Sequence, residues 1–395
     1  MLIIHHLGVS QSERVVRLEM MKSRWARFMV VAVGALAVSL AACAVSPPSD
    51  DQKLHVAAAP ADYATLHLGQ KIAIWEDGRR TPSSADTFEW WYFDGLLDDG
   101  TVVVVWFGDN WFYGSHNRAV TIELTPTGKP TRRVMRTFDE PGSFASDQAE
   151  IKIGPHQFKG DLDTYFIHVD PAETGGVGCD LTLRRRVASY RPATGYIEAG
   201  KQFFAWLVAV PEGAVTGTLS TDGETRQVAG SGYHDHNWGN VSPAKLFDGW
   251  WWGRGRSGEH TIIASELHGR SAVGGTNIPL FFIGDEHRVE VSAFGPDVST
   301  IKGDSVRHPD PSHKRPIGSG ISFIAPDGSR AEFKISEHML KSADLIADES
   351  FVVRAAAWAL SKNPWYTRFE SPIVLSLPGQ PPATGRGTLE YFELN

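Results

Sequence analysis

Two cysteines among 395 residues, Cys43 and Cys179, are too few for a disulfide framework. Once Cys43 is set aside as a modification site, for reasons given below, Cys179 has no partner and the mature fold has no internal disulfide. In Cys179-Asp180-Leu181-Thr182-Leu183 the thiol shares a strand face with Leu181 and Leu183, the setting of a buried, inert cysteine. No basic cluster interleaves with the aromatics, and the formal net charge is −8, which excludes nucleic acid as a partner. No glycine-rich phosphate loop follows a strand and no serine elbow is present, so no cofactor is expected.

What is present begins with an export signal. Lys22, Arg24 and Arg27 precede an apolar run from Phe28 to Leu40, which leads into Leu40-Ala41-Ala42-Cys43. A basic start, a short apolar core and small residues before the cut describe a secretory signal. The run falls short of the roughly 20 residues of a membrane span. Small residues directly before a cysteine form the bacterial lipoprotein pattern, which makes Cys43 the lipidation site; the alternative is an ordinary signal peptide. The expectation is an exported protein, anchored to a membrane through Cys43 on the periplasmic side. Ala44 after the cysteine points to the outer membrane. Residues 1–19 lie outside the pattern, which would suit a start at Met20 or Met21.

Beyond the signal, 39 glycines and 23 prolines punctuate short β-branched and aromatic runs, with turns such as Asp98-Asp99-Gly100 and Pro326-Asp327-Gly328. This is the pattern of antiparallel sheets, so the fold class is all-β. Trp90-Trp91-Tyr92 recurs as Trp250-Trp251-Trp252, Gly95 as Gly255, and Thr101-Val102-Val103 as Thr261-Ile262-Ile263, all at one offset. Gly230-Ser231-Gly232 likewise parallels Gly385-Arg386-Gly387 late in each half. Repetition of this kind marks two copies of one design. The expected organisation is an extension and signal over 1–43, a flexible tether over 44–75, a first β domain over 76–242 and a second over 243–395. The alanine-rich stretch Phe351 to Leu360 reads as a short helix stopped near Asn363-Pro364.

Two polar-aromatic segments carry the candidate chemistry, Phe88-Glu89-Trp90-Trp91-Tyr92-Phe93-Asp94-Gly95 and Gly232-Tyr233-His234-Asp235-His236-Asn237-Trp238-Gly239. On a strand, His234, His236 and Trp238 share one face, and Tyr233, Asp235 and Asn237 the other. Such a strand is costly to bury without partners, and a structural corner is the bland alternative. Metal binding is another: two histidines one residue apart reach one zinc, given a third ligand from His260, His268 or Glu266.

Both segments resemble signatures of the carotenoid hydratase (hydroxyneurosporene synthase) family, whose wider relatives include Diels–Alderases and tandem lipocalin-like proteins. The likeness runs from about Thr87 to the C-terminus. It implies two tandem lipocalin-like (calycin) β-barrel domains after the lipidated tether, enclosing an apolar pocket. In the hydratases a histidine and a tryptophan of this motif serve the active site, matching His236 and Trp238. The family also uses a tyrosine and an acid a few tens of residues further on; Thr261–Leu267 here offers no tyrosine and one acid, Glu266.

Alkene hydration needs a general acid and a water-activating base, and aromatic faces stabilise the cation between them. A pericyclic cyclisation needs a shaped apolar cavity and a hydrogen-bond donor. The expectation is therefore an enzyme that hydrates or cyclises a hydrophobic polyene. His236, Glu266 and Asp235 are its acid–base candidates, and Glu266 should be desolvated with a raised pKa. Trp238, His234, Trp90, Trp91, Tyr92 and Trp251 would line the substrate. The alternatives are a non-catalytic carrier of a hydrophobic small molecule and a His-x-His metal hydrolase. The sequence fixes no oligomeric state.

Overall fold

The computed structural model describes residues 48–82, 87–112, 115–344 and 364–394. Cys43 and the expected helix at 351–360 lie outside them. The described residues form two large antiparallel sheets of one design. In the first, β1 (Phe88–Leu97), β2 (Val102–Phe112), β3 (Gln202–Thr221) and β4 (Glu224–Gly239) lie in the order β2-β1-β4-β3. In the second, β5 (Phe247–Ser257), β6 (His260–Gly269), β7 (Trp365–Ser376) and β8 (Ala383–Glu393) lie in the order β6-β5-β8-β7. Further strands continue both sheets on either side in matching sequence. Each sheet curls around its own apolar interior. A third apolar cluster, including Tyr233, Phe247, Ile263 and Phe282, fills the seam between them. The fold is two tandem lipocalin-like half-barrels.

Strand alternation explains the aromatic runs. Trp91 and Phe93 of β1 enter the first interior while Tyr92 packs on the seam; Trp251 of β5 enters the second interior while Trp250 and Trp252 face the seam. Strands buried on both faces need apolar residues at consecutive positions, not alternate ones. The glycine pairs have a steric cause. A Cβ on Gly230 would lie 2.3 Å from the Leu96 carbonyl oxygen, and one on Gly387 2.0 Å from that of Arg254. Both sit where β4 and β8 cross close to their neighbours, β1 and β5.

The segment expected as a flexible tether is ordered from residue 48 onwards. His55–Val56 pairs with Tyr196–Ala199, α1 spans Pro60–Thr65, and Ile74–Asp77 forms a 3-10 turn. Leu54 and Ala57 are buried. Two apolar anchors and the Glu76–Arg191 ion pair (2.8 Å) hold a stretch whose composition reads as linker.

Candidate active site

Strand β4 presents His234, His236 and Trp238 to the first interior, as the alternation requires. Register places His236 opposite Trp91 of β1 and Trp238 opposite Glu89. Trp91 stacks on the His236 ring, with centroids 4.5 Å apart and planes 14° apart, and Trp238 lies 4.6 Å away. The Trp238 indole donates to the Tyr196 hydroxyl (3.1 Å).

Two buried carboxylates complete the group. Glu89 Oε1 lies 2.9 Å from His236 Nε2, and Glu89 also accepts the backbone N–H groups of Arg80 and Thr81 and the Thr81 hydroxyl. Asp77, on the 3-10 turn, accepts from the Tyr165 hydroxyl (2.5 Å) and lies 3.1 Å from His234 Nε2 through the same oxygen, Oδ2. Trp91 fixes the turn by donating to the Asp77 carbonyl (2.8 Å). His234 Nδ1 donates to the Tyr92 carbonyl (2.9 Å), so the hydrogen bond between Nε2 and Asp77 needs one further shared proton.

The informative contact is the incomplete one. His236 Nδ1 and Asp77 Oδ1 are 3.5 Å apart, both buried, and neither has a hydrogen-bond partner among the described residues. With Nε2 held by Glu89, Nδ1 is the ring atom left to take or give a proton, and Asp77 stands beside it.

The structure divides the residues singled out from sequence into three places. His234, His236, Trp91 and Trp238 share the first interior. Asp235 does not join them: one position along the strand, it faces the seam. There it accepts from the Trp206 indole (2.9 Å), the Tyr233 hydroxyl (2.7 Å) and the Asn237 amide (2.9 Å), and burial pushes its carboxyl up. Tyr92 also faces the seam, donating to Asp94 (3.2 Å), and Trp90 shares its strand face. Burial raises the Asp94 carboxyl, but Arg368 and Arg254 outweigh it and hold the group below its usual range.

Trp251 lies in the second interior against Tyr391, and Glu266 is paired opposite it. Glu266 is not the protonated acid expected. Burial pushes it up, but hydrogen bonds from His268, Thr300 and Lys302 and the Lys302 charge bring it down to about 2. The third-ligand candidates likewise stay in the second sheet, His260 near Glu290 (3.2 Å) and His268 on Glu266 (3.0 Å). Nor is the aromatic pocket open: His234 and His236 are wholly covered, with Phe158 and Tyr165 against the His234 ring.

Sequence reasoning missed Asp77, Tyr165 and Thr81, and gave Glu89 no role. Glu89 was readable, two residues from Trp91 on the same strand face. Asp77 carried no signal in an aperiodic segment.

No family model matches the sequence. A hydroxyneurosporene dehydrogenase of Chlorobaculum tepidum is 27% identical over 212 residues, 42% of this chain and 53% of that protein. The chain thus spans about half the length of that curated relative. Among solved structures, CghA with Sch210972 has a TM-score of 0.58 at 15% identity, covering 83% of this chain and 96% of that one. Kievitone hydratase from Nectria haematococca has a TM-score of 0.56 at 12% identity, covering 82% and 92%. In fold, and in sequence over that shorter span, the chain resembles the carotenoid hydratase and CghA-like lipocalin-like family.

Proposed function

We propose that this protein is a hydratase- or cyclase-type enzyme that moves a proton to or from a hydrophobic polyene, using His236 between Glu89 and Asp77. The observation that carries this reading is the unbonded pair His236 Nδ1 and Asp77 Oδ1, buried 3.5 Å apart among aromatic rings. A buried polar atom without a partner costs stability, and such groups persist where chemistry uses them. Glu89 orients the imidazole, Asp77 exchanges the proton at Nδ1, and Tyr165 with His234 holds Asp77. Trp91 and Trp238 offer ring faces to a developing cation, worth about 0.5–2 kcal/mol each. The scheme uses only groups of the chain itself. Similarity to CghA and to a kievitone hydratase supports the reaction class. Both imidazoles are covered, so substrate, and for hydration the water that adds to it, would enter only if the aromatic cover parts.

The test is turnover and binding of a polyene by the purified protein. His236→Ala and Glu89→Gln should lower turnover about 10²–10⁴-fold while binding changes little, because proton transfer is lost and apolar contact is kept. Glu266→Gln and Asp235→Asn should leave the chemical step within threefold. Wild-type turnover in both site variants would overturn the acid–base scheme. Tight binding without turnover in the wild type would make the protein a carrier.

A further inference from the structure

The turn at 285–288 joins two strands of the second sheet, Asn277–Gly284 and Val289–Phe294, and β6 runs beside the first of them. Thr261 pairs with Gly284, so His260, one position earlier on β6, comes level with Asp285. On the third strand the register shifts. Ile283 pairs with Val291 but Gly284 with Val289, which leaves Glu290 as the extra residue of a bulge. Bulges of this kind re-aim a side chain. One nitrogen or oxygen atom from each of His260, Asp285 and Glu290 thereby lies within 4.8 Å of the other two. None of the three belongs to the His234–His236 network.

Hydrogen bonding does not account for this convergence. His260 Nε2 and Glu290 Oε2 are 3.2 Å apart, close to the edge of a tetrahedral metal site whose bonds are about 2.0–2.1 Å. Yet Glu290 Oε2 is buried and has no hydrogen-bond partner among the described residues, the imidazole included. Arg288 occupies the opposite oxygen, Oε1 (2.6 Å and 3.1 Å), and so holds the carboxylate without covering Oε2. Asp285 is set in place through Oδ1 by the backbone N–H groups of His287 (2.7 Å) and Arg288 (2.8 Å). The side chains of His260 and Glu290 are 20% and 12% exposed, so an ion can enter from solvent. A nitrogen and an oxygen in contact without a hydrogen bond, with a second carboxylate at hand, ask for a shared cation.

We propose that His260, Asp285 and Glu290 bind one divalent transition-metal ion of the zinc type, each through a single atom, with water completing the shell. An imidazole nitrogen beside two carboxylate oxygens suits zinc, whereas calcium and magnesium ask for shells of oxygen. The ion fastens three neighbouring strands of the second sheet at the 285–288 turn. It is a strap on the fold, separate from the proposed acid–base centre, so failure of either reading leaves the other standing.

The test is a titration of the purified, chelator-stripped protein with Zn²⁺ alone, against a competing chromophoric chelator at neutral pH. Wild type should take up a single equivalent. His260→Gln and Glu290→Gln should each weaken binding at least about tenfold, and Asp285→Asn about three- to tenfold. His287→Gln, at an exposed neighbour in the same turn, should bind as wild type does. Zinc should raise the unfolding midpoint of wild type well above its effect on His260→Gln, because the folded site binds it. The replacements are close in size and lie near the surface, so the variants should fold; if one does not, the other two carry the same test. The proposal is overturned if zinc binds more weakly than about 100 µM, as an adventitious ion only. It is overturned equally if His260→Gln binds as wild type does, if His287→Gln loses as much as His260→Gln, or if Ca²⁺ in about tenfold excess displaces zinc.

Discussion

In the first sheet Trp91 faces His236, 4.5 Å between ring centroids; in the second, Trp251 faces Tyr391 at 4.4 Å, in the same strand positions. Two residues further along, β4 carries Trp238 and β8 carries Glu393, which binds His313 and the guanidinium of Arg315 (3.1 Å). The tryptophan and the glycine pair are properties of the sheet and occur in both halves. The polar fill is not shared. The first interior sets two imidazoles among two carboxylates, all able to exchange protons. The second ties Glu393 to the His313 imidazole and to Arg315, whose guanidinium keeps its protons throughout the working pH range. One frame therefore carries two different polar fills.

That contrast breaks if the two carboxylates prove equivalent. Asp77→Ala leaves the Tyr165 hydroxyl and His234 Nε2 buried without their acceptor, and should cost about 3–5 kcal/mol in urea unfolding at pH 7. Glu393→Ala should cost about 1–2 kcal/mol, because its side chain is 14% exposed against 1% for Asp77 and water can replace it. Equal losses would erase the distinction.

A smaller effect separates the halves by pH. In the first, burial lowers His156 from 6.5 to about 4. A histidine depressed on folding contributes stability above its unfolded value, and that contribution is lost as pH falls from 6.5 through 4. In the second, Glu266 is lowered from 4.5 to about 2, so its contribution is present above 4.5 and is lost as pH falls through 2. His156→Gln should flatten the stability profile between pH 6.5 and 4, and Glu266→Gln only below 4.5, read as unfolding midpoint against pH. Coincident windows would contradict both assignments. The smallest change is Tyr391→Phe: its contact with Glu393 is long, 3.4 Å, and its loss should cost under about 1 kcal/mol and leave turnover unchanged. A large loss of turnover there would move the chemistry into the second half.

The duplication was legible because two features, Trp90-Trp91 and Gly230-x-Gly232, answer local geometry: burial on both faces and close crossing of strands. The faces of β4 were legible for the same reason, since alternation needs no tertiary information. The partners of His236 were not. Glu266 was chosen as the one acid in a stretch matched by resemblance, yet register sets it opposite Trp251, in the other interior. Asp77 lies in a segment whose polar composition hides two anchors, Leu54 and Ala57. Nothing periodic marks a 3-10 turn as the carrier of a site residue.

The position of that turn fixes when the site can form. Asp77 and His234 are 157 positions apart in the chain, and Glu89 and His236 are 147 apart. Glu266 finds His268 two positions away and Thr300 34 away. Closing long loops costs chain entropy before any contact rewards it. The Glu266 cluster can therefore assemble soon after its own strands meet, whereas the His236 centre must wait for the two ends of the first sheet to join. On a refolding clock read by pulsed hydrogen exchange, the His236 cluster is a late arrival.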